Sequence, residues 1–178
     1  MARPLDEQGH ALLDAASRLL STEGPGALTV RRIATEAGCS TMGVYSRFGG
    51  KDGVVEELYK EGVERLFAAM DLEESDDPLE DLRRCGLSYR TNALANATHY
   101  MIVFGGAIPG FQPSDEAKAR SLQAFGRLVD RVRRAQDAGL LVDEPADKIA
   151  EVFWGTMHGH VMLELIGMSA TLDDAYAR

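Results

Sequence analysis

Apolar residues recur along this chain at helical rather than strand spacing. Leu12, Ala16, Leu19 and Leu20 fall on one face at steps of three and four, which predicts an amphipathic helix over residues 5–22. Gly24-Pro25-Gly26 ends it. Thr29 suits the N-cap of a short helix from Val30 to Ala37, Gly38 breaks the chain, and Ser40 suits the cap of a second short helix from Thr41 to Arg47. Gly49-Gly50 breaks again before a long helix, Lys51 to Met70, which runs into the acidic stretch Asp71–Asp77. Asp77-Pro78-Leu79-Glu80 is a start signal, with Asp at the N-cap, Pro at the first helical position and Glu at the capping-box position. A helix over residues 79–96 follows, then an apolar segment over about 97–106 closed by Gly105-Gly106 and Pro109-Gly110. Ser114 caps a helix to about Ala138, which Gly139 ends, and Pro145 opens an apolar helix from Ala146 to Gly167. Thr171-Leu172-Asp173-Asp174 marks the start of a short last helix. No β-alternating run bounded by turns occurs. The expectation is an all-α chain with a three-helix head over residues 1–50 and a larger helical body over residues 51–178.

Composition narrows the function. The 178 residues suffice to bury a core without covalent staples. The two cysteines, Cys39 and Cys85, have no C-x-x-C spacing, which argues against a disulfide framework or structural zinc. His158 and His160, two apart on a helix, point in nearly opposite directions, so no metal site is expected. Glycine-rich phosphate loops, G-x-S-x-G and H-E-x-x-H are absent, and the expectation is a non-enzyme without a cofactor. No charge-free apolar run of 18 residues exists and Met1–Glu7 lacks a signal-like apolar stretch, so the expected home is the cytoplasm, away from membranes.

Charge is uneven. Residues 1–52 carry six Lys/Arg and six Asp/Glu and sum to zero, so the whole net charge of −9 lies beyond them. Within the neutral part, Arg31, Arg32, Arg47 and Lys51 make a local basic stretch, and such a face binds phosphates even on an acidic chain. Residues 29–45 have the layout of two short helices joined by a tight turn. Ile33, Ala34, Ala37 and Val44 face a common core, and Gly38 suits the positive φ of the turn. This is helix-turn-helix geometry, with the second helix exposing a face. Three packed helices of an ordinary bundle are the other reading of the same pattern.

Leu28-Thr29-Val30-Arg31-Arg32-Ile33-Ala34-Thr35-Glu36-Ala37-Gly38-Cys39-Ser40, followed by Tyr45-Ser46-Arg47-Phe48-Gly49-Gly50-Lys51-Asp52, resembles the DNA-binding head of TetR-family transcriptional regulators over residues 10–58. Trp154-Gly155-Thr156-Met157-His158-Gly159 resembles the W-x-x-x-H-G pattern of one branch of the family's ligand-binding domains, as do Tyr100-Met101-Ile102-Val103-Phe104-Gly105 and Pro109-Gly110-Phe111. The resemblance implies a DNA-binding set of Thr29, Ser40, Thr41, Met42, Tyr45, Arg47 and Lys51. Thr41 and Met42 stand where side chains reach base edges, Met42 offering an apolar contact, for instance to a thymine methyl. Tyr45 touches phosphate or base, Thr29 binds phosphate, and Arg47 and Lys51 are phosphate contacts that set register. Phe48 packs rather than reads, and Gly43 stands where many members carry a hydroxyl.

The body holds many aromatic and Met residues, which suit an adaptable apolar cavity. The implied ligand set is Tyr100, Met101, Phe104, Phe111, Phe125, Trp154, Met157 and His158, with His158 and Tyr100 as polar anchors and ordinary core packing as the bland alternative for each. The helix from Ala146 to Gly167 is apolar on more than one face. In the family the last two long helices pair across a two-fold axis. The implied function is therefore a homodimeric repressor on a palindromic operator in double-stranded DNA, released by a small apolar effector. The rival is a helical small-molecule-binding protein whose head no longer binds DNA specifically; a regulator answering to a protein partner is not separable from sequence.

Overall fold

The computed structural model describes residues 5–168. Among the described residues eight α-helices follow one another: α1 (Glu7–Glu23), α2 (Val30–Glu36), α3 (Thr41–Phe48), α4 (Lys51–Met70), α5 (Pro78–Ala95), α6 (Ala97–Val103), α7 (Asp115–Asp137) and α8 (Ala146–Leu165). Gly24-Pro25-Gly26 does end α1, and Pro25–Ala27 form a single 3-10 turn before α2. No strand occurs among the described residues, as the periodicity predicted. The short helix expected from Thr171 lies outside the described residues.

The chain forms two packing units. One comprises residues up to Gly62 together with Thr98–Ala117; the other comprises Val63–Ala97 and the chain from Lys118 onward. Packing thus divides the chain differently from the boundary at residue 50 expected from the sequence. The two units share α4, the division falling after Gly62.

In the first unit, α1 starts at Asp6, whose Oδ1 accepts from the backbone N–H of Gly9 at 2.8 Å. One face of α1 buries Leu12, Ala15, Ala16 and Leu19; Ile33, Ala34, Val44, Val54, Val55 and Leu58 are buried to the same degree. Full burial of each large aliphatic contributes about 1.5–3 kcal/mol. The exposed pairs Arg18–Glu36 and Arg32–Glu23 at the surface contribute little beside that.

Residues 98–117 pack on α4. Gly62 has no side chain where α6 crosses it; a Cβ there would lie 2.9 Å from Val103 Cγ2 and 3.2 Å from the carbonyl oxygen of His99. His99 Nε2 lies 3.3 Å from the Glu61 carboxylate. Further along, the Ser114 N–H and hydroxyl both donate to Glu56, at 3.2 and 2.5 Å. Ser114 Oγ also accepts from the Ala117 N–H at 3.2 Å, which makes it the cap predicted for α7.

In the second unit, Asp77 caps α5 by accepting from the N–H groups of Leu79 and Glu80, with Pro78 at the first position, as the start signal predicted. The Glu80 carboxylate does not complete a capping box: it takes two hydrogen bonds from Arg83 instead. α5 and α8 approach at Gly86, where a Cβ would meet Met157 Cε at 3.2 Å and Phe153 Cζ at 3.6 Å. Arg90 of α5 holds Glu164 of α8 with hydrogen bonds of 2.8 and 2.5 Å. The loop before α5 is tied down by buried Asp81, which accepts from the N–H and hydroxyl of Ser75, from Arg84, and from Arg134 of α7. Arg131, also buried, donates to the Leu72 carbonyl at 2.9 Å.

Candidate nucleic-acid interface

α2 and α3 are joined by the turn that the sequence predicted. The Cys39 N–H reaches the Ala34 carbonyl at 2.9 Å and the Gly38 N–H reaches Thr35 at 3.1 Å, with Gly38 at φ 66°. Only glycine takes that backbone conformation without strain. Ala34, 2% exposed, adds no bulk at the crossing. Thr29 caps α2 as expected, its Oγ1 accepting from the Arg32 N–H at 3.2 Å. Ser40 occupies the cap position of α3 with extended backbone, but its side chain makes no capping hydrogen bond. α3 ends at Gly49, left-handed at φ 71°.

Within α3 the residues sort by angle around the axis. Gly43 and Val44 are buried, Arg47 and Phe48 half-buried. Thr41, Met42, Tyr45 and Ser46 are exposed and span an arc of about 140° at ~100° per residue. Met42 is 71% exposed and Tyr45 55%, high values for side chains that lose free energy in water. A buried back and an exposed front leave this helix a face that can enter a groove. Gly43, by contrast, faces inward: a Cβ there would meet Gln8, Cys39 and Arg47 at 3.7–3.8 Å. A hydroxyl at that position would not stand on the outward face.

The cations divide into held and available. Arg47 is clasped by Asp6 at the start of α1, with Nε and Nη2 2.8 and 2.6 Å from the two carboxylate oxygens. These bonds hold the Arg47 proton still more firmly than usual. In this structure Arg47 ties α3 to α1 rather than standing ready for a phosphate. Arg32 is held the same way by Glu23, at 2.7 and 2.6 Å. Lys51 begins α4, 41% exposed, its Nζ 4.0 Å from Asp52 and beyond hydrogen-bond reach. Arg31 is exposed on α2. The sequence places Arg31 in the basic stretch without marking it as a DNA contact, and does not single out Ser46; their exposure, invisible in residue type, is what brings them forward.

The eight residues expected to bind a ligand fall in both packing units. Tyr100 and Phe104 stack at 5.0 Å and Phe111 lies 6.0 Å from Tyr59, all in the first unit, with Met101 beside Gly105. In the second unit Phe125 meets Trp154 at 5.8 Å, and Trp154 meets His158 at 6.0 Å. The buried Tyr89 hydroxyl links the last pair: the Trp154 indole N–H donates to it at 3.2 Å, and it lies 3.2 Å from His158 Nδ1. Burial pushes the His158 pKa down, which favours the neutral ring. Met157 lines two adjoining apolar grooves of about 410 and 490 Å³, which share Ile149 and Phe153. Leu79, Leu82, Gly86 and Leu87 complete the α5 side of one, and Val152 and Thr156 extend the other along α8. Of the expected eight, only Met157 lines them. The helix-interior Gly86 was the sequence signal for this close α5–α8 crossing.

Comparison with known proteins agrees with this geometry. The signature described as "Bacterial regulatory proteins, tetR family" matches residues 12–58. The signature described as "Tetracyclin repressor-like, C-terminal domain" matches residues 82–178, more than half of the chain. A protein of unknown function from Rhodococcus sp. RHA1 is 25% identical, with a TM-score of 0.83 over 97% of this chain and 91% of that one. The TetR family transcriptional regulator PfmR from Thermus thermophilus is 20% identical, with a TM-score of 0.72 over 85% of this chain and 84% of that one. AibR, solved in complex with isovaleryl coenzyme A and operator DNA, is 19% identical, with a TM-score of 0.69 over 88% of this chain and 85% of that one. No curated protein matches the sequence significantly. The head signature falls on the helix-turn-helix, and the second signature covers more than half of the chain: this protein belongs to the TetR family of bacterial transcription regulators.

Proposed function

We propose that this regulator is a homodimeric repressor that leaves a palindromic operator when a small apolar ligand binds its body. Residues 1–50, with Lys51 at the start of α4, carry the DNA contacts, and the rest of residues 51–178 the ligand and the dimer contact. The observation that carries the DNA part is the exposed Thr41–Met42–Tyr45 face on a buried α1–α2–α3 scaffold. Thr29, Ser40 and Lys51 supply backbone contacts around it, with Arg47 holding α3 in place.

Exposed apolar residues of α8 and of the chain just after it support dimerisation. Val152, Leu163 and Ile166 are 70%, 45% and 56% exposed, and Met168 just beyond is 73% exposed. A second copy of the chain would cover such an apolar strip and set two heads on two half-sites. The ligand part rests on the apolar grooves of α5 and α8, on the Trp154–Tyr89–His158 cluster, and on AibR, a protein of this fold held with an acyl-coenzyme A and its operator. In mechanism, ligand favours a state in which α4, shared by both packing units, carries the heads out of register. A coupling of about 1–3 kcal/mol weakens operator binding roughly 5–150-fold.

Two substitutions test the DNA reading. Lys51→Ala should weaken binding to all duplexes alike and lower the salt slope by about one, because a phosphate contact carries no sequence. Thr41→Ala should change preference among duplexes while leaving the salt slope in place. Titrations at three salt concentrations separate the two. Unchanged binding in both variants would instead favour a body that binds small molecules beneath a head that no longer reads DNA.

A further inference from the structure

The outward face of α3 lacks the side chains that read most bases. Its eight residues, Thr41–Phe48, include one cation and no Lys, Asn, Gln, Asp, Glu or His. The cation, Arg47, is turned to Asp6 by two hydrogen bonds, and its Nη1 lies 3.4 Å from the Gly43 carbonyl; its side chain is 24% exposed. In the major groove guanine is read by a fork of donors to O6 and N7, adenine by an amide at N6 and N7, and cytosine by a carboxylate. α3 presents none of these. It presents a thioether, a phenol and two hydroxyls, from Met42, Tyr45, Thr41 and Ser46.

Met42 is the side chain on that face without a polar hydroxyl, and it is 71% exposed against 55% for Tyr45. Its flexible, polarizable end settles on small apolar features. The one apolar group in the major groove is the C5 methyl of thymine. We propose that α3 reads its half-site chiefly through thymine methyl groups, with Met42 as the main contact and the Thr41 methyl beside it, so that the pairs beneath the helix are A·T. This rests on α3 being the reading helix, as proposed above. It goes further in naming the base feature read and in excluding guanine forks from this helix.

The test uses the full chain and a duplex selected from a random pool. Each thymine of the selected half-site is replaced in turn by uracil, which deletes only the methyl. Each guanine is replaced by 7-deazaguanine, which deletes the N7 acceptor. The expected result is a loss of about fourfold for the wild type at one or two uracil positions per half-site, the worth of one buried methyl-sized group. That loss should vanish in Met42→Ala, whose exposed site leaves the fold intact, and shrink at a neighbouring position in Thr41→Ser. 7-Deazaguanine at any guanine bordering the A·T pairs read by the helix should change nothing. A selected palindrome that binds equally well with uracil at every position would overturn the proposal, as would a guanine N7 dependence that Met42→Ala leaves in place. Failure to select any duplex would overturn both this proposal and the DNA reading it rests on, and that failure is seen at the selection step, before any base is replaced.

Discussion

Tyr45→Ala is expected to weaken operator binding roughly 10–100-fold while leaving the melting temperature nearly unchanged. Tyr45 is 55% exposed on the outward arc of α3, so its ring is not part of the core that Ile33, Val44 and Leu12 make. Truncation therefore creates no cavity, and surface changes of this kind stay within about 0.5 kcal/mol of stability. In the complex the same ring has an apolar edge for the groove and a hydroxyl for a phosphate or base edge. Tyr45→Phe separates the two: a ring contact alone predicts little loss, and a hydroxyl contact predicts most of the alanine effect. Binding titrations with thermal melts of all three proteins check this. A large fall in melting temperature would show that Tyr45 is a core aromatic, and unchanged binding would remove it from the interface.

Asp81→Ala has the largest effect expected on stability, lowering the melting temperature by roughly 5–10 °C. Asp81 is 3% exposed and accepts from the Ser75 N–H at 3.0 Å, from the Ser75 hydroxyl at 2.8 Å, and from Arg84 and Arg134. The Ser75 N–H chiefly, with the Ser75 hydroxyl and Arg134, holds the Asp81 carboxyl down from 3.8 to about 2. Removing the carboxylate leaves the part-buried Ser75 N–H without its acceptor and takes one partner each from the Ser75 hydroxyl, Arg84 and Arg134, whose other acceptors are the Asp77, Glu73 and Ser75 carbonyls. Because the folded pKa lies below the unfolded one, this stabilisation is complete above about pH 4 and is lost as pH falls from there towards 2. The stability difference between wild type and Asp81→Asn should shrink across that window. Denaturation at several pH values checks it, and a difference that stays constant down to pH 2 would contradict the role assigned to the ionised group.

The helices were legible because their boundaries are written in local chemistry. Asp77-Pro78, Gly38, Gly49 and Gly139 are signals whose physics acts within one turn, and each marks a helix end in the structure. The outward face of α3 was legible for the same reason, since Val44 sets which side is buried. What escaped depends on residues far apart in sequence. Arg47 has the residue type of a phosphate contact, but its hydrogen bonds to Asp6, 41 residues earlier, are not legible locally. Ser40 had the right type for a cap, and nothing local revealed that its hydroxyl makes no capping bond. The aromatic count pointed to the body, but not to the fact that residues 98–117 pack on α4 through Glu56, Tyr59 and Gly62. Half of the residues lining the α5–α8 grooves are Leu, Ile or Val, which composition does not distinguish from ordinary core.

Selection of bound duplexes from a random pool by the purified protein, at two salt concentrations, tests the account most directly. Enrichment of a palindrome that persists at the higher salt is expected, since base contacts from the α3 face add specificity to the salt-sensitive phosphate term. Recovery of unrelated duplexes alone, lost at the higher salt, would contradict it.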